Sequence, residues 1–167
     1  MCRRIPTPHR RNTAQAVVVI RLQLAGAADA PGILALTRAA YAKWVPLIGR
    51  EPWPMTADYA VAVRAHRIDL LYDGAVLAGL IETIRAPDHM LVENLAVAPA
   101  YQGRGHARRL MAQAEQLAAD LPEIRLYTNS RFATNISLYQ RLGFEISHIQ
   151  TVDVGEITHM RKRLKFP

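Results

Sequence analysis

The chain has 167 residues, half of them apolar, a single cysteine and a net charge of +7. That length suits one compact domain, the apolar share argues against an unstructured polymer, and no apolar run reaches the roughly 20 residues of a membrane-crossing helix. Cys2 alone permits no disulfide within the chain and no core cysteine nucleophile, which fits a reducing, cytoplasmic setting. The charge is uneven: Arg3, Arg4, Arg10 and Arg11 stand at the start without an acid, and taking those four from +7 leaves +3. A body so weakly basic argues against a nucleic-acid partner. Residues 1–14, with Pro6 and Pro8 and no periodicity, are expected to be a flexible basic tail ahead of one domain over 15–167.

In chain order, Val17 to Leu24 is β-branched and apolar and reads as a buried strand. Ala28 to Ala42 has helical spacing at Ile33, Leu34, Leu36, Ala40 and Tyr41, with Asp29 as expected N-cap. Three prolines and a glycine in WVPLIGREPWPM demand a loop or broken helix, after which Thr56 is placed to cap a second helix to about Arg67. Asp73-Gly74 joins two apolar runs as a hairpin. Met90 to Ala98 reads as a strand, Gly105 to Ala119 as a helix, Ile124 to Thr128 as a strand, and Thr134 to Leu142 as a helix closed by Gly143. Two last strands, Phe144 to Val152 and Ile157 to Phe166, turn around Gly155. The order β-α-α-β-β-β-α-β-α-β-β predicts an α+β layered domain.

The turn before the helix at Gly105 carries chemistry. Ala107, Leu110, Met111, Ala114, Ala118 and Leu121 share one face of that helix, while Arg108, Arg109, Gln113, Glu115 and Gln116 fall opposite. The helix therefore packs by one face and offers a free, positive N-terminus behind Gly103 and Gly105, an anion site. Arg104 and Arg108 add charge there. A P-loop would need Gly-Lys-Ser/Thr, and a dinucleotide fingerprint would need a third glycine where Arg108 stands; both fail.

Gln102-Gly103-Arg104-Gly105-His106-Ala107 resembles the acyl-CoA loop of the GNAT N-acetyltransferase superfamily, Gln/Arg-x-x-Gly-x-Gly/Ala. VENLAVAPAYQGRGHARRLM is similar to that family's central strand, loop and helix, and TNISLYQRLGF to its later helix. The resemblance implies a mixed, mostly antiparallel sheet of six to seven strands flanked by about four helices, with strands four and five splayed. It implies acetyl-CoA as co-substrate, pantetheine along Leu95, Ala96 and Val97, and pyrophosphate on the N–H groups from Gln102 to Ala107. Asn135 and Tyr139 lie four apart on one helix face; the resemblance gives Asn135 to the pantetheine and Tyr139 to the sulfur.

The implied reaction is attack of a neutral amine on the thioester. Glu93 stands two residues before Leu95, so strict alternation places it on the side of Leu95 and Val97, and it matches a position many family members use as base. An N–H of Leu95 or Val97 is the expected oxyanion donor, and Tyr139 the expected proton donor to the thiolate. His106 is expected to be exposed, and no histidine has zinc-site spacing, so no metal is expected. For the acceptor, the resemblance points to the first two helices and the final strands, where Tyr41, Trp44 and Trp53 form an aromatic wall. Glu51 is the one acid between Asp29 and Asp58, so the expected acceptor is a small mono-amine with an apolar or aromatic body, such as an amino-acid derivative or a small aryl-alkyl amine. A peptide N-terminus, an acyl-CoA-binding sensor without catalysis, and a homodimer stay open alternatives.

Overall fold

The computed structural model describes residues 19–165, so the tail at 1–14, Val17 and Phe166 lie outside the described residues. The strands are β1 (Ile20–Leu24), β2 (Arg67–Asp73), β3 (Val76–Arg85), β4 (Met90–Val97), β5 (Glu123–Asn129), β6 (Glu145–Val152) and β7 (Gly155–Arg163). The helices are α1 (Ala30–Tyr41), the single-turn α2 (Val45–Ile48), α3 (Tyr59–Ala65), α4 (His106–Leu117) and α5 (Ala133–Arg141). None of them is long and apolar enough to cross a membrane.

One seven-stranded sheet runs β1-β2-β3-β4-β5-β7-β6. All neighbours are antiparallel except β4 and β5. The expected mixed sheet with four flanking helices of about two turns or more is therefore what forms, with α2 as a single turn inside the proline-broken loop. Helices α1 and α3 cover one face through Ile33, Leu36 and Ala62 against Ile68, Leu70, Leu80 and Ala96. Helix α4 covers the other through Leu110, Met111 and Ala114 against Ala78, Ile81, Val92 and Ile124. Sealing each such large apolar side chain contributes about 1.5–3 kcal/mol. Gly79 lets α4 approach β3 closely: a Cβ there would stand 3.1 Å from both the Ala96 carbonyl oxygen and Leu110 Cδ1.

One cap differs from expectation. Asp58, not Thr56, caps α3, accepting from the N–H groups of Ala60 and Val61 at 3.0 and 3.2 Å. The Thr56 hydroxyl turns back to the Trp53 carbonyl at 3.1 Å. Asp29 is the N-cap residue of α1 as expected, and its carboxylate accepts from Gly26 N–H in the turn before the helix rather than from a helix N–H.

The parallel pair positions everything that follows. It is in register only from Met90–Ile124 to Val92–Leu126, and beyond Val92 the strands part. At that point β4 is bulged: Glu82 pairs with Asn94 and Thr83 with Val92, so Glu93 is an extra residue without a partner on β3.

Candidate active site

The gap between β4 and β5 opens into a groove of about 400 Å³ that continues to the N-terminus of α4. Ala98 N–H is bonded to Ala78 on β3, so by alternation the N–H and C=O groups of Leu95 and Val97 face the gap. The Val97 carbonyl accepts from Gln102 Nε2 at 3.0 Å. Buried backbone groups of this kind require partners.

At the far end, Gly103 and Gly105 adopt left-handed backbone with φ of 76° and 82°. A Cβ on either would meet nothing within 4 Å, so it is backbone conformation that calls for glycine here, and the space beside both is open. The first bond of α4 runs from Arg109 N–H to the Gly105 carbonyl at 3.1 Å, which leaves the N–H groups ahead of it pointing out of the helix end.

Of the residues expected to hold the cofactor, Leu95, Ala96, Val97, Gln102, Gly103, Gly105, Ala107, Arg108 and Asn135 all line this groove, as does Tyr139. Arg104 does not. Its guanidinium lies over the Tyr101 ring, 4.7 Å from the centroid, with Nη1 3.8 Å from Asp73. His106 lines the groove but is buried, not exposed. As the first residue of α4 its ring turns inward, where Nε2 bonds Asp73 at 3.0 Å. Lys43 and Arg141, which no local sequence pattern marked, also face the groove, and among the described residues no carboxylate lines it. Three cations and bare helix N–H groups make this a surface for a polyanion.

Tyr139 is buried on α5 against Phe144, and burial pushes its phenol up to about 12, so it keeps its proton at neutral pH. Tyr41, at the end of α1, lines both the groove and a second cleft beside it. Burial, reinforced by Tyr139 nearby, drives the Tyr41 phenol well above its ordinary value, and its hydroxyl donates to Asn94 Oδ1 at 3.0 Å. Asn94 in turn donates to Tyr59 at 3.0 Å, and Tyr59 to the Pro54 carbonyl at 2.9 Å. This buried network ties the 53–55 turn to β4. A lone asparagine inside an apolar strand pattern was its one sequence signal.

Glu93 is not where alternation puts it. Val92 and Val97 pack on the α4 face of the sheet, whereas Asn94 and Ala96 face α1 and α3. The bulge at Glu93 absorbs the change of parity. Glu93 therefore lines the second cleft and a third one beyond it, and is absent from the groove lined by Leu95 and Val97. Tyr127 on β5 donates to Glu93 Oε1 at 2.6 Å. Burial first, then that bond, raises the Tyr127 phenol above its ordinary value.

The aromatic wall also divides. Trp53 is 75% exposed and lines the two outer clefts. Trp44 is buried, stacked on Phe132 with centroids 4.3 Å apart, and faces the groove rather than either cleft. In the third cleft Glu82 is nearly sealed and bonded to His66 Nδ1. Burial raises its carboxyl despite that bond.

The sequence profile of the acetyltransferase (GNAT) domain matches residues 59–146, from α3 into β6, and takes in the groove residues from Leu95 to Leu142. The chain belongs to the GNAT acetyltransferase family. An uncharacterized protein of Mycobacterium leprae is 35% identical over 104 residues, 58% of this chain and 28% of that protein, so the match spans about a quarter of that relative's length. The fold is shared with the PaiA N-acetyltransferase of Thermoplasma acidophilum in complex with coenzyme A, at TM-score 0.73 and 17% identity over 87% of this chain and 99% of that one. It is shared as well with the ribosomal-protein-S18-alanine N-acetyltransferase of Escherichia coli, at TM-score 0.72 and 19% identity over 89% of this chain and 96% of that one.

Proposed function

We propose that this GNAT domain moves the acetyl group of acetyl-CoA directly to the nitrogen of a small amine. The observation that carries the reading is the acid-free groove, which joins a bare helix N-terminus to the unpaired edge of β4 and ends at Tyr139. The pyrophosphate suits the N–H groups at Gly103 to Ala107 with Lys43 and Arg108, and the amide-rich pantetheine suits the backbone groups of Leu95 and the N–H of Val97. Asn135, half-buried on α5 one turn before Tyr139, faces the same groove.

Each step has a residue. The amine arrives as an ammonium, because alkyl amines have a pKa near 10, and must lose a proton before or as its nitrogen forms the new bond to the acetyl carbon. Glu93 takes that proton, directly or through water. An N–H of Leu95 or Val97 stabilises the oxyanion. As the carbon–sulfur bond breaks, the Tyr139 hydroxyl returns a proton to the thiolate. The hydroxyl of Tyr139 has no hydrogen-bond partner among the described residues, which leaves it free for the sulfur.

Thiol release from acetyl-CoA over an amine panel tests the reading. Amine-dependent release supports it. Binding of acetyl-CoA without release to any amine would make the domain an acyl-CoA sensor, and release only with peptide N-termini would make it a peptide acetyltransferase.

A further inference from the structure

Resting on that reading, we infer that the acceptor is a zwitterion, an amine that also carries a carboxylate, and that Arg50 selects it. The second cleft lies against the groove, sharing Tyr41 with it, and Glu93 opens into it. Its walls are apolar or neutral, including Trp53, Phe132 and Ile157. Two charged side chains line it, Arg50 and Glu93, one of each sign.

The neighbouring charges are already engaged, and Arg50 is not. Glu51, the acid closest to Arg50 in sequence, is held by Arg38, which also donates to the Met55 carbonyl at 3.0 Å. That clamp fixes the loop and removes its carboxylate from the cleft. Asp58 caps α3, and Glu82 is bonded to His66. Arg50 has no carboxylate partner among the described residues, and its one hydrogen bond is a long 3.4 Å contact to the Glu51 carbonyl next to it. The loop therefore presents a free guanidinium, a fork that matches a carboxylate in two parallel hydrogen bonds. An acceptor whose ammonium meets Glu93 and whose carboxylate meets Arg50 leaves neither charge unpaired. A polycation would find a single carboxylate, Glu93, and a cation, Arg50, in the same cleft.

The test pairs amino acids with their decarboxylated amines: phenylalanine with phenethylamine, leucine with isopentylamine, and the C-terminal amide of each. Acetyl-CoA binding is followed separately by calorimetry. The parent should prefer each carboxylate-bearing member by about 10- to 100-fold in kcat/KM. Arg50→Gln should erase that preference mainly through the acceptor KM, leave the decarboxylated amines within about 2-fold, and leave acetyl-CoA affinity unchanged. Arg50→Glu should turn the preference toward diamines such as cadaverine. Turnover of the decarboxylated amines or amides equal to or above that of the amino acids overturns the zwitterion and leaves the acetyltransferase reading standing. Equal loss on both classes in Arg50→Gln overturns the role of Arg50. Acetyl-CoA binding without turnover of any amine overturns both readings.

Discussion

Tyr127 donates its hydroxyl to Glu93 Oε1 at 2.6 Å across the opening where β4 and β5 part. The pair fixes a carboxylate that the bulge would otherwise leave free to rotate toward water. Glu93→Gln should lower kcat by roughly 10²-fold or more, the usual worth of a general base. Tyr127→Phe should lower it by about 10-fold through loss of one charge-assisted hydrogen bond. Acetyl-CoA affinity should hold in both. Full activity in Glu93→Gln would remove it from the chemistry.

Tyr139→Phe deletes one hydroxyl and almost no volume. Burial holds the phenol neutral, so on the proposed mechanism its loss removes the proton donor to the thiolate. Turnover should fall by about 10²-fold with the acetyl-CoA KM little changed. Equal turnover in mutant and parent would reduce Tyr139 to a packing residue.

Gly105 has left-handed backbone and empty space where a Cβ would go. Gly105→Val should cost about 1–2 kcal/mol of stability from backbone strain and yet fold, since its Cβ meets no protein atom within 4 Å. It should abolish coenzyme A binding if the phosphates take the proposed place at the helix end, because the branched side chain would stand there. Calorimetric titration with unchanged affinity would refute this.

Trp53 touches both outer clefts and not the groove. Trp53→Ala should raise the acceptor KM several-fold while the acetyl-CoA KM stays put. Its exposure means the fold should tolerate the change, and circular dichroism and melting temperature check that point. Movement of both KM values together would assign Trp53 to loop structure.

Glu82 has its carboxyl raised by burial, so the folded state favours its protonated form. That contribution to stability is complete below the ordinary value of 4.5 and is lost as pH rises through the higher folded value. Glu82→Gln stays neutral throughout. Its melting temperature relative to the parent should therefore climb from pH 4.5 toward pH 7. A difference that stays flat, or falls, would contradict the sign.

The chain's local signals determined most of the elements and the glycine turn ahead of α4. A hairpin at Asp73-Gly74, glycines before a helix and an apolar stripe at 3.6 spacing express conformational limits and helix-end electrostatics that act over a few residues. The order of elements and the two motifs then pointed to the GNAT fold and to the groove. The tertiary structure alone decided the rest. A bulge is defined by the partner strand, so the face that Glu93 takes follows from its register with Glu82 and Thr83 and not from counting along β4. His106 is buried because Asp73, at the end of β2, reaches it. Trp44 joins the groove because Phe132, remote in sequence, offers its ring. Arg38, on α1, pairs with Glu51 and leaves Arg50 without a carboxylate partner among the described residues. Each of these depends on a contact between distant segments, and such contacts exist only once the sheet has brought the segments together.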